Sequence, residues 1–446
     1  MTCIRRLPAP PFAPSRPRRL LRRVGVLILA FAWPAACGGT GGNGSEDGAP
    51  AEGQNGSTAT GAAWQESFPD FTRHVIDDFQ SGYQAIAFDV DGDGREDVAA
   101  LSTGGSELVW YRNPGWERYT ISTAAEGYIN MAPHDIDGDG DLDLAVASEF
   151  SLGNSTGGGV IHWAEAPDDP TENEEWPLHR IDAVPTSHRL KWADLDGDGS
   201  EELVNLPIVG VGASSPEYHG AVEFTAYEIP EDPTGEAWPS RILDDSRLEV
   251  AHGLAVVDWD GDGADDLLTA SLDGVHLFRP ALEGEGGAPA VMQVAEGHQG
   301  PRPEAGSSEV ALGRLGPEGR FLATNDPWHG NQVVVYRPTE SDELPWSRSV
   351  IETGFQAGHA VVTVDLNGDG YDEIVAGHRG GERNLFIYRY RPDAPDAEKW
   401  ERIPMDLGGV AVSSLDVADL NDDGAPDIIT IGGATDNVVW YENEGV

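Results

Sequence analysis

From about residue 64 onward, apolar and polar positions alternate in short runs that recur in one fixed order. An alternating run such as Ala85-Ile-Ala-Phe88 leads into an aspartate-rich stretch, and Val98-Ala-Ala-Leu101 leaves it. A third, aromatic run follows, as in Leu108-Val-Trp-Tyr111, Val333-Val-Val-Tyr336 and Val438-Val-Trp-Tyr441. A fourth runs from a tryptophan to an isoleucine, as in Trp116 to Ile121 and Trp346 to Ile351. Period-two patterning over so few residues, bounded by Gly, Pro, Asn and Asp, predicts short β-strands, four to a unit.

The aspartate-rich stretch gives the repeat its clock. The pattern D-x-[DN]-x-D-G-x-x-[DE] starts at Asp89, Asp135, Asp194, Asp258, Asp365 and Asp419. The steps are 46, 59, 64, 107 and 54 residues. The 107-residue step spans two units, and the segment Val310 to Thr324 fills the gap, with Arg314 where the first aspartate would stand. Seven units of four strands predict an all-β fold, a seven-bladed β-propeller. The last unit stops after its third strand, while Phe71 to Ile76 is an unpaired strand ahead of the first. The strand at 71–76 is therefore expected to complete the last blade and close the ring, which removes free sheet edges. Blade limits are expected near 79–123, 124–184, 185–246, 247–297, 298–354, 355–406 and 407–446, the last joined by 64–78.

Alternate positions of each nine-residue stretch carry oxygen ligands suited to calcium, a hard cation that takes 6–8 of them. The candidates are Asp89, Asp91, Asp93, Arg95 and Asp97 in the first unit, and Asp135, Asp137, Asp139, Asp141 and Asp143 in the second. Asp194, Asp196, Asp198, Ser200 and Glu202 follow, then Asp258, Asp260, Asp262, Ala264 and Asp266. Asp365, Asn367, Asp369, Tyr371 and Glu373 form the next set, and Asp419, Asn421, Asp423, Ala425 and Asp427 the last. The seventh position would offer its backbone carbonyl, which leaves its side chain free to vary. Position nine, always acidic, could bind through both oxygens. About six structural Ca2+ ions are expected, and none in the fifth unit.

These loops, with Trp110-Tyr-Arg-Asn-Pro-Gly115 and Trp440-Tyr-Glu-Asn-Glu-Gly445, resemble the FG-GAP/VCBS repeat family over about residues 64–446. The resemblance implies an integrin-α-like, calcium-binding seven-bladed propeller. It implies nothing specific about activity.

Charge narrows the partners. The chain has 77 acidic and 28 basic residues, a net charge of −49, which excludes nucleic acid and anionic membrane surfaces as partners. Seven of the basic residues lie in the first 23 positions. There Arg18, Arg19, Arg22 and Arg23 precede the apolar run Val24 to Trp33, the pattern of an export signal too short to span a membrane. Pro34-Ala-Ala-Cys37-Gly38 resembles a bacterial lipoprotein cleavage box, with Pro34 where that family has leucine. The expected order is a signal at 1–36, a lipidated Cys37 with a Gly/Ser-rich tether at 37–63, and the propeller at 64–446. The expected location is the cell envelope or outer surface, or the medium. Any membrane contact would be through the lipid anchor alone.

Six residues before the loops, the units carry Tyr83, Ile129, His188, His252, Ser308, His359 and Ser413. Glu149, Asp326, Trp328, His329, His378 and Arg379 stand at the ends of the second strands, on the same side. His188, His252, His359, His378 and His329 are candidate catalytic residues, and Tyr83, Glu149, Trp328 and Arg379 candidate ligand contacts. A transition metal such as zinc, held by His188, His252 and His359, is one option, and acid–base work on a carbohydrate another. With no nucleophile motif or phosphate loop present, the leading expectation is a non-enzymatic, calcium-binding module for a protein or glycan outside the cytoplasm. The alternative is a carbohydrate lyase, dehydratase or isomerase working at the histidine-rich mouth.

Overall fold

A computed structural model describes residues 68–172, 174–283, 289–317, 319–339, 341 and 343–446. The expected leader, Cys37 and the tether lie outside them. Seven four-stranded antiparallel sheets form the blades of a β-propeller. Blade 1 uses Gly82–Phe88, Asp97–Ser102, Leu108–Arg112 and Glu117–Ser122. Blades 2 to 6 repeat that order, and their innermost strands are Asn130–His134, Ser187–Ala193, Gly253–Val257, Val310–Leu315 and Gly358–Val364. Blade 7 takes Val412–Ala418, Asp427–Gly432 and Asn437–Asn443 from the end of the chain. Its outer strand is Phe71–Asp77, paired antiparallel with Asn437–Asn443 from Phe71 opposite Asn443 to Asp77 opposite Val438. The ring is thus closed by the N-terminal strand. No α-helix occurs among the described residues.

Packing explains the patterning. The second strand of a blade lies between its neighbours, so Asp97–Ser102, Asp143–Ser148, Asp266–Ser271 and Asp427–Gly432 are buried at every position. The outer strands are more exposed, as Phe71–Asp77, with no fully buried position, and Glu117–Ser122, buried only at its last two, show. The core sits between blades. Trp110 and Leu101 of blade 1 pack with Met131 and Val146 of blade 2, and Ile429 and Trp440 of blade 7 with Ala85 and Val98 of blade 1. Each large side chain so buried contributes roughly 1.5–3 kcal/mol.

Polar latches fix the angular order. In the aromatic strand, the Tyr111 hydroxyl donates to Asp77 at 2.9 Å and the Tyr227 hydroxyl to Asp182 at 2.9 Å. The Tyr441 hydroxyl donates to Asp406 at 2.6 Å. In every case the acceptor ends the outer strand of the preceding blade. The asparagine of the WYxN segments works in the same way at the other end. Asn113 Nδ2 donates to the Leu420 carbonyl at 2.6 Å and Asn443 Nδ2 to the Leu366 carbonyl at 2.9 Å. Tyr441→Phe is expected to lower stability by about 1–2 kcal/mol in urea unfolding, since it leaves a buried carboxylate one donor short.

Candidate functional site

The mouth of the ring is built by backbone irregularity. The innermost strand pairs with its neighbour in register except at one place, between Gly82 and Gln84, Ser187 and Arg189, Gly358 and Ala360, and Val412 and Ser414. The residues inside these bulges are Tyr83, His188, His359 and Ser413. A bulge re-aims its side chain. Two residues before each ring, Ser81, Thr186, Val250 and Ala357 have φ of 54°, 62°, 49° and 55°, left-handed values at the turns into blades 1, 3, 4 and 6. Tyr83, His188, His252 and His359 are thereby gathered. His329, with φ of 48°, joins them from the turn after Gly319–Asp326.

The polar geometry fixes the tautomers. His252 Nδ1 lies 2.7 Å from Glu309 Oε1, and Glu309 also accepts from Arg189 at 2.6 Å. His359 Nδ1 donates to the Ser413 carbonyl at 2.6 Å. Both rings therefore turn a bare Nε2 inward. His252 Nε2 is 3.1 Å from His329 Nε2, and ligand atoms of His252, His329 and His359 all lie within 4.8 Å of one another. The Tyr83 hydroxyl is shared between His188 Nε2 at 2.9 Å and His359 Nε2 at 3.3 Å. His188 Nδ1 is buried without a partner.

Burial, then the charges of Arg189, Arg379 and the neighbouring rings, hold His188, His329 and His359 well below the usual histidine range. Burial lowers His252 as well, against the pull of Glu309. Burial alone would push Glu309 up, but Arg189 and His252 outweigh it and hold it low. The cluster is thus neutral imidazole beside an ionised Arg189–Glu309 pair. Beneath it runs a cavity of about 500 Å3 down the axis, lined by Tyr83, Arg189, Glu309 and His359 at one end and by Lys191 and Asp416 further along. Its volume falls in the range of small-molecule sites.

Other sequence candidates stand apart or at the rim. His378 packs tilted on Phe355 with ring centres 4.7 Å apart, accepts from the Asn384 amide at 3.1 Å and donates to the Gly380 carbonyl at 2.9 Å, so both its nitrogens organise a loop. Glu149 is exposed, in a groove with Phe150, whose ring lies 5.6 Å from His188. Trp328 stacks on His329 at 4.8 Å and covers the cluster with Tyr218. Arg379 is part-buried, and its charge is felt at His188, His329 and His359. Sequence reasoning missed Arg189 and Glu309, each one position past a residue read as lining the mouth. A charged residue beside a register position was the available signal.

The aspartate loops occupy the opposite face. Asp89 accepts from the amides of Asp93 and Gly94 at 3.1 and 2.8 Å, and Asp194, Asp365 and Asp419 repeat this. Position six bends with φ of 89° at Gly94 and 103° at Gly140, where a β-carbon would be strained. Position nine does more than face the loop. Asp97 accepts from the Val90 amide through one oxygen and from the Asn113 amide through the other, at 3.1 and 2.7 Å, and Asp143 and Asp427 do likewise. Burial pushes Asp97 up to about 7 and Glu373 up to about 8, and buried Glu373 Oε1 has no partner. In blades 1 and 4 an arginine reaches the loop, and in blade 6 the charge of Arg389 is felt at Glu373. Arg112 Nε lies 2.6 Å from Asp91, and Arg279 pairs with Asp260 and Asp266. In blade 5 the Arg314 amide instead donates to Asp372 of blade 6 at 2.8 Å.

The fold and these loops define a seven-bladed β-propeller carrying FG-GAP-like repeats, matched at residues 89–146 and 365–430. Residues 158–339 match the family described as the β-propeller domain of aldos-2-ulose dehydratase. That segment contains His188, Arg189, His252, Glu309 and His329. Aldos-2-ulose dehydratase of Phanerodontia chrysosporium is 28% identical over 254 residues, which cover 50% of this chain and 26% of that protein. The chain thus spans about a quarter of the length of the curated relative it matches. Among solved structures, an Agrocybe aegerita lectin that recognises non-reducing terminal N-acetylglucosamine is similar at a TM-score of 0.46 and 14% identity, over 82% of this chain and 86% of that one. A chain of a mitotic checkpoint complex is similar at 0.47 and 13%, over 88% and 99%. At these scores neither bears on function.

Proposed function

We propose that this propeller is a metal-dependent carbohydrate dehydratase or lyase whose site is the buried histidine cluster. The observation that carries this is the convergence of three neutral imidazoles. His252 and His359 have their outer nitrogens anchored by Glu309 and a backbone carbonyl, the arrangement that orients metal-ligating histidines. Across a tetrahedral zinc with bonds of 2.0–2.1 Å, two nitrogens stand roughly 3.3 Å apart, close to the 3.1 Å between His252 and His329. His252, His329 and His359 would hold the ion, which would supply Lewis-acid polarisation of a sugar carbonyl. The match to a dehydratase propeller domain adds weight to the sugar.

Elimination of water next to a carbonyl needs one group to take the α-proton and another to protonate the departing hydroxyl. Tyr83 Oη and His188 Nε2 form the proton-carrying pair. The Tyr83 hydroxyl lies nearer His188 Nε2, at 2.9 Å, than His359 Nε2, at 3.3 Å, so its proton is directed to His188. Arg189 and Glu309 position His252 and keep charge at the cavity wall. A purely adhesive mouth would gain nothing from burying these rings. The test is anaerobic reconstitution of the full chain with zinc, followed by incubation with an aldos-2-ulose. The expected result is one bound zinc at the mouth and a zinc-dependent rise in enone absorbance. A chain that binds no zinc and releases no unsaturated product would overturn the reading.

The aspartate loops are proposed as structural calcium sites. The support is the partnerless Glu373 Oε1 and the grouping of Asp135, Asp137 and Asp143, and of Asp194, Asp196 and Asp198, within ligand reach. Blades 1 and 4 fit an ion less well, because Arg112 and Arg279 already neutralise their aspartates.

A further inference from the structure

We propose that the histidine cluster is entered along the axis from the face that carries the aspartate loops, and that Lys191 governs what passes. The route rests on the enzymatic reading above only for what travels along it, a sugar. Four innermost strands show the direction. Gly253–Val257 and Gly358–Val364 are buried at their first residues and partly exposed over their last three. Asn130–His134 is buried as far as Ala132 and opens at Pro133 and His134. Val412–Ala418 is buried at Val412 and Ser413 and opens from Ser414 onward. Each of these strands starts at the mouth and ends at a loop, so water reaches the axis from the loop end. The cavity of about 500 Å3 follows the same course. It runs from Tyr83, Glu309 and His359 at the cluster to Val257, Thr363 and Val417, which stand just short of their loops.

Lys191 stands midway. It lines the cavity and is the exposed position of Ser187–Ala193, two residues past Arg189 and so on the same side of the strand. Among the described residues it has no ion pair and no hydrogen bond. An ammonium without a partner is costly to take out of water, so the channel is wet at that depth. Its flexible stem lets it swing across the passage. The other end is shut. Ile208, Val209, Val250 and Leu272 form an apolar cap, with Tyr218 and Trp328 packed against it. Arg302 ties the cap down, since it pairs with Glu249 and its Nε donates to the Glu217 carbonyl at 3.1 Å. Ser155 Oγ holds it from the other side by donating to the Ala213 carbonyl at 2.6 Å. Beneath the cap, His188 and His359 are 1% exposed and His252 0%. The groove beside it, along Gly105 and Glu149, is lined by neither Tyr83 nor any of the clustered histidines.

The test follows acylation of the histidines by diethyl pyrocarbonate in the metal-free full chain, with the modified residues located by mass spectrometry. His219, exposed on the cap segment, is the internal control. Lys191→Trp is expected to slow modification of His359 by ~10-fold or more and Lys191→Ala to quicken it, with His219 reacting at one rate throughout. Arg302→Gln, which frees the cap, should leave the His359 rate unchanged. An undiminished rate in Lys191→Trp, or a rate raised several-fold in Arg302→Gln, would overturn the inference, because entry would then be through the cap. If Lys191→Trp does not fold, Thr363→Phe, at the loop end of the same cavity, is read in the same way. Turnover of an aldos-2-ulose by the zinc-loaded chain separates the route from the enzymatic reading. Modification limited by Lys191→Trp in a chain that turns over no sugar would sink that reading and leave the route standing. Zinc-dependent turnover with kcat/KM undiminished in Lys191→Trp would do the reverse.

Discussion

His252→Ala and His359→Ala are each expected to lower zinc affinity by more than ~100-fold and abolish zinc-dependent turnover, with His378→Ala leaving both unchanged. The contrast follows from where the nitrogens go. His252 and His359 each commit Nδ1 to a fixed acceptor and turn Nε2 into the cluster, whereas His378 spends both nitrogens on the loop around Gly380. Removing a ligand should exceed the ~10–100-fold loss typical of an outer-shell change. Glu309→Gln supplies that comparison, since it keeps the shape but weakens the anchor on His252. Zinc content by mass spectrometry and turnover of an aldos-2-ulose are the two readouts. Undiminished zinc content in both alanine variants would remove the proposed centre.

Chelation with EGTA is expected to lower the melting temperature by more than ~10 °C, and titration back with calcium to restore it. A site held at 1,000 times its dissociation constant adds about 4 kcal/mol to the folded state, and several act together. The loops of blades 2, 3 and 7 should contribute most. In blade 1, Arg112 lies on Asp91, and in blade 4, Arg279 lies on Asp260 and Asp266. Two substitutions separate these classes. Asp137→Ala, in blade 2, should destabilise the protein in calcium and make no further difference in EGTA. Asp260→Ala, in blade 4, breaks an ion pair and should act equally in both. A melting curve indifferent to EGTA would remove the calcium reading.

The residues one position from those read along the chain show why the site was harder to see than the fold. Ser308 was legible as a mouth position, yet Glu309 is the side chain that holds His252 and Arg189. His378 ends the second strand of blade 6, and His329 stands three residues past the second strand of blade 5, so the two look alike in sequence. Only His329, in a left-handed turn beneath Trp328, reaches the axis. The residues that set those directions, Ser81, Thr186, Val250 and Ala357, are not glycine and carry no turn signature. Nothing local announces their positive φ.

The chain by itself determined the number of blades, the strand order and the closing of the ring by Phe71–Asp77. Those features rest on period-two burial and on loops whose hydrogen bonds span nine residues, and both are written in contiguous sequence. The tertiary structure alone decided that histidines from blades 3, 4, 5 and 6 form one cluster with Tyr83. Those groups are brought together by bulges and by the curvature of the ring, so their separation along the chain says nothing about their separation in space.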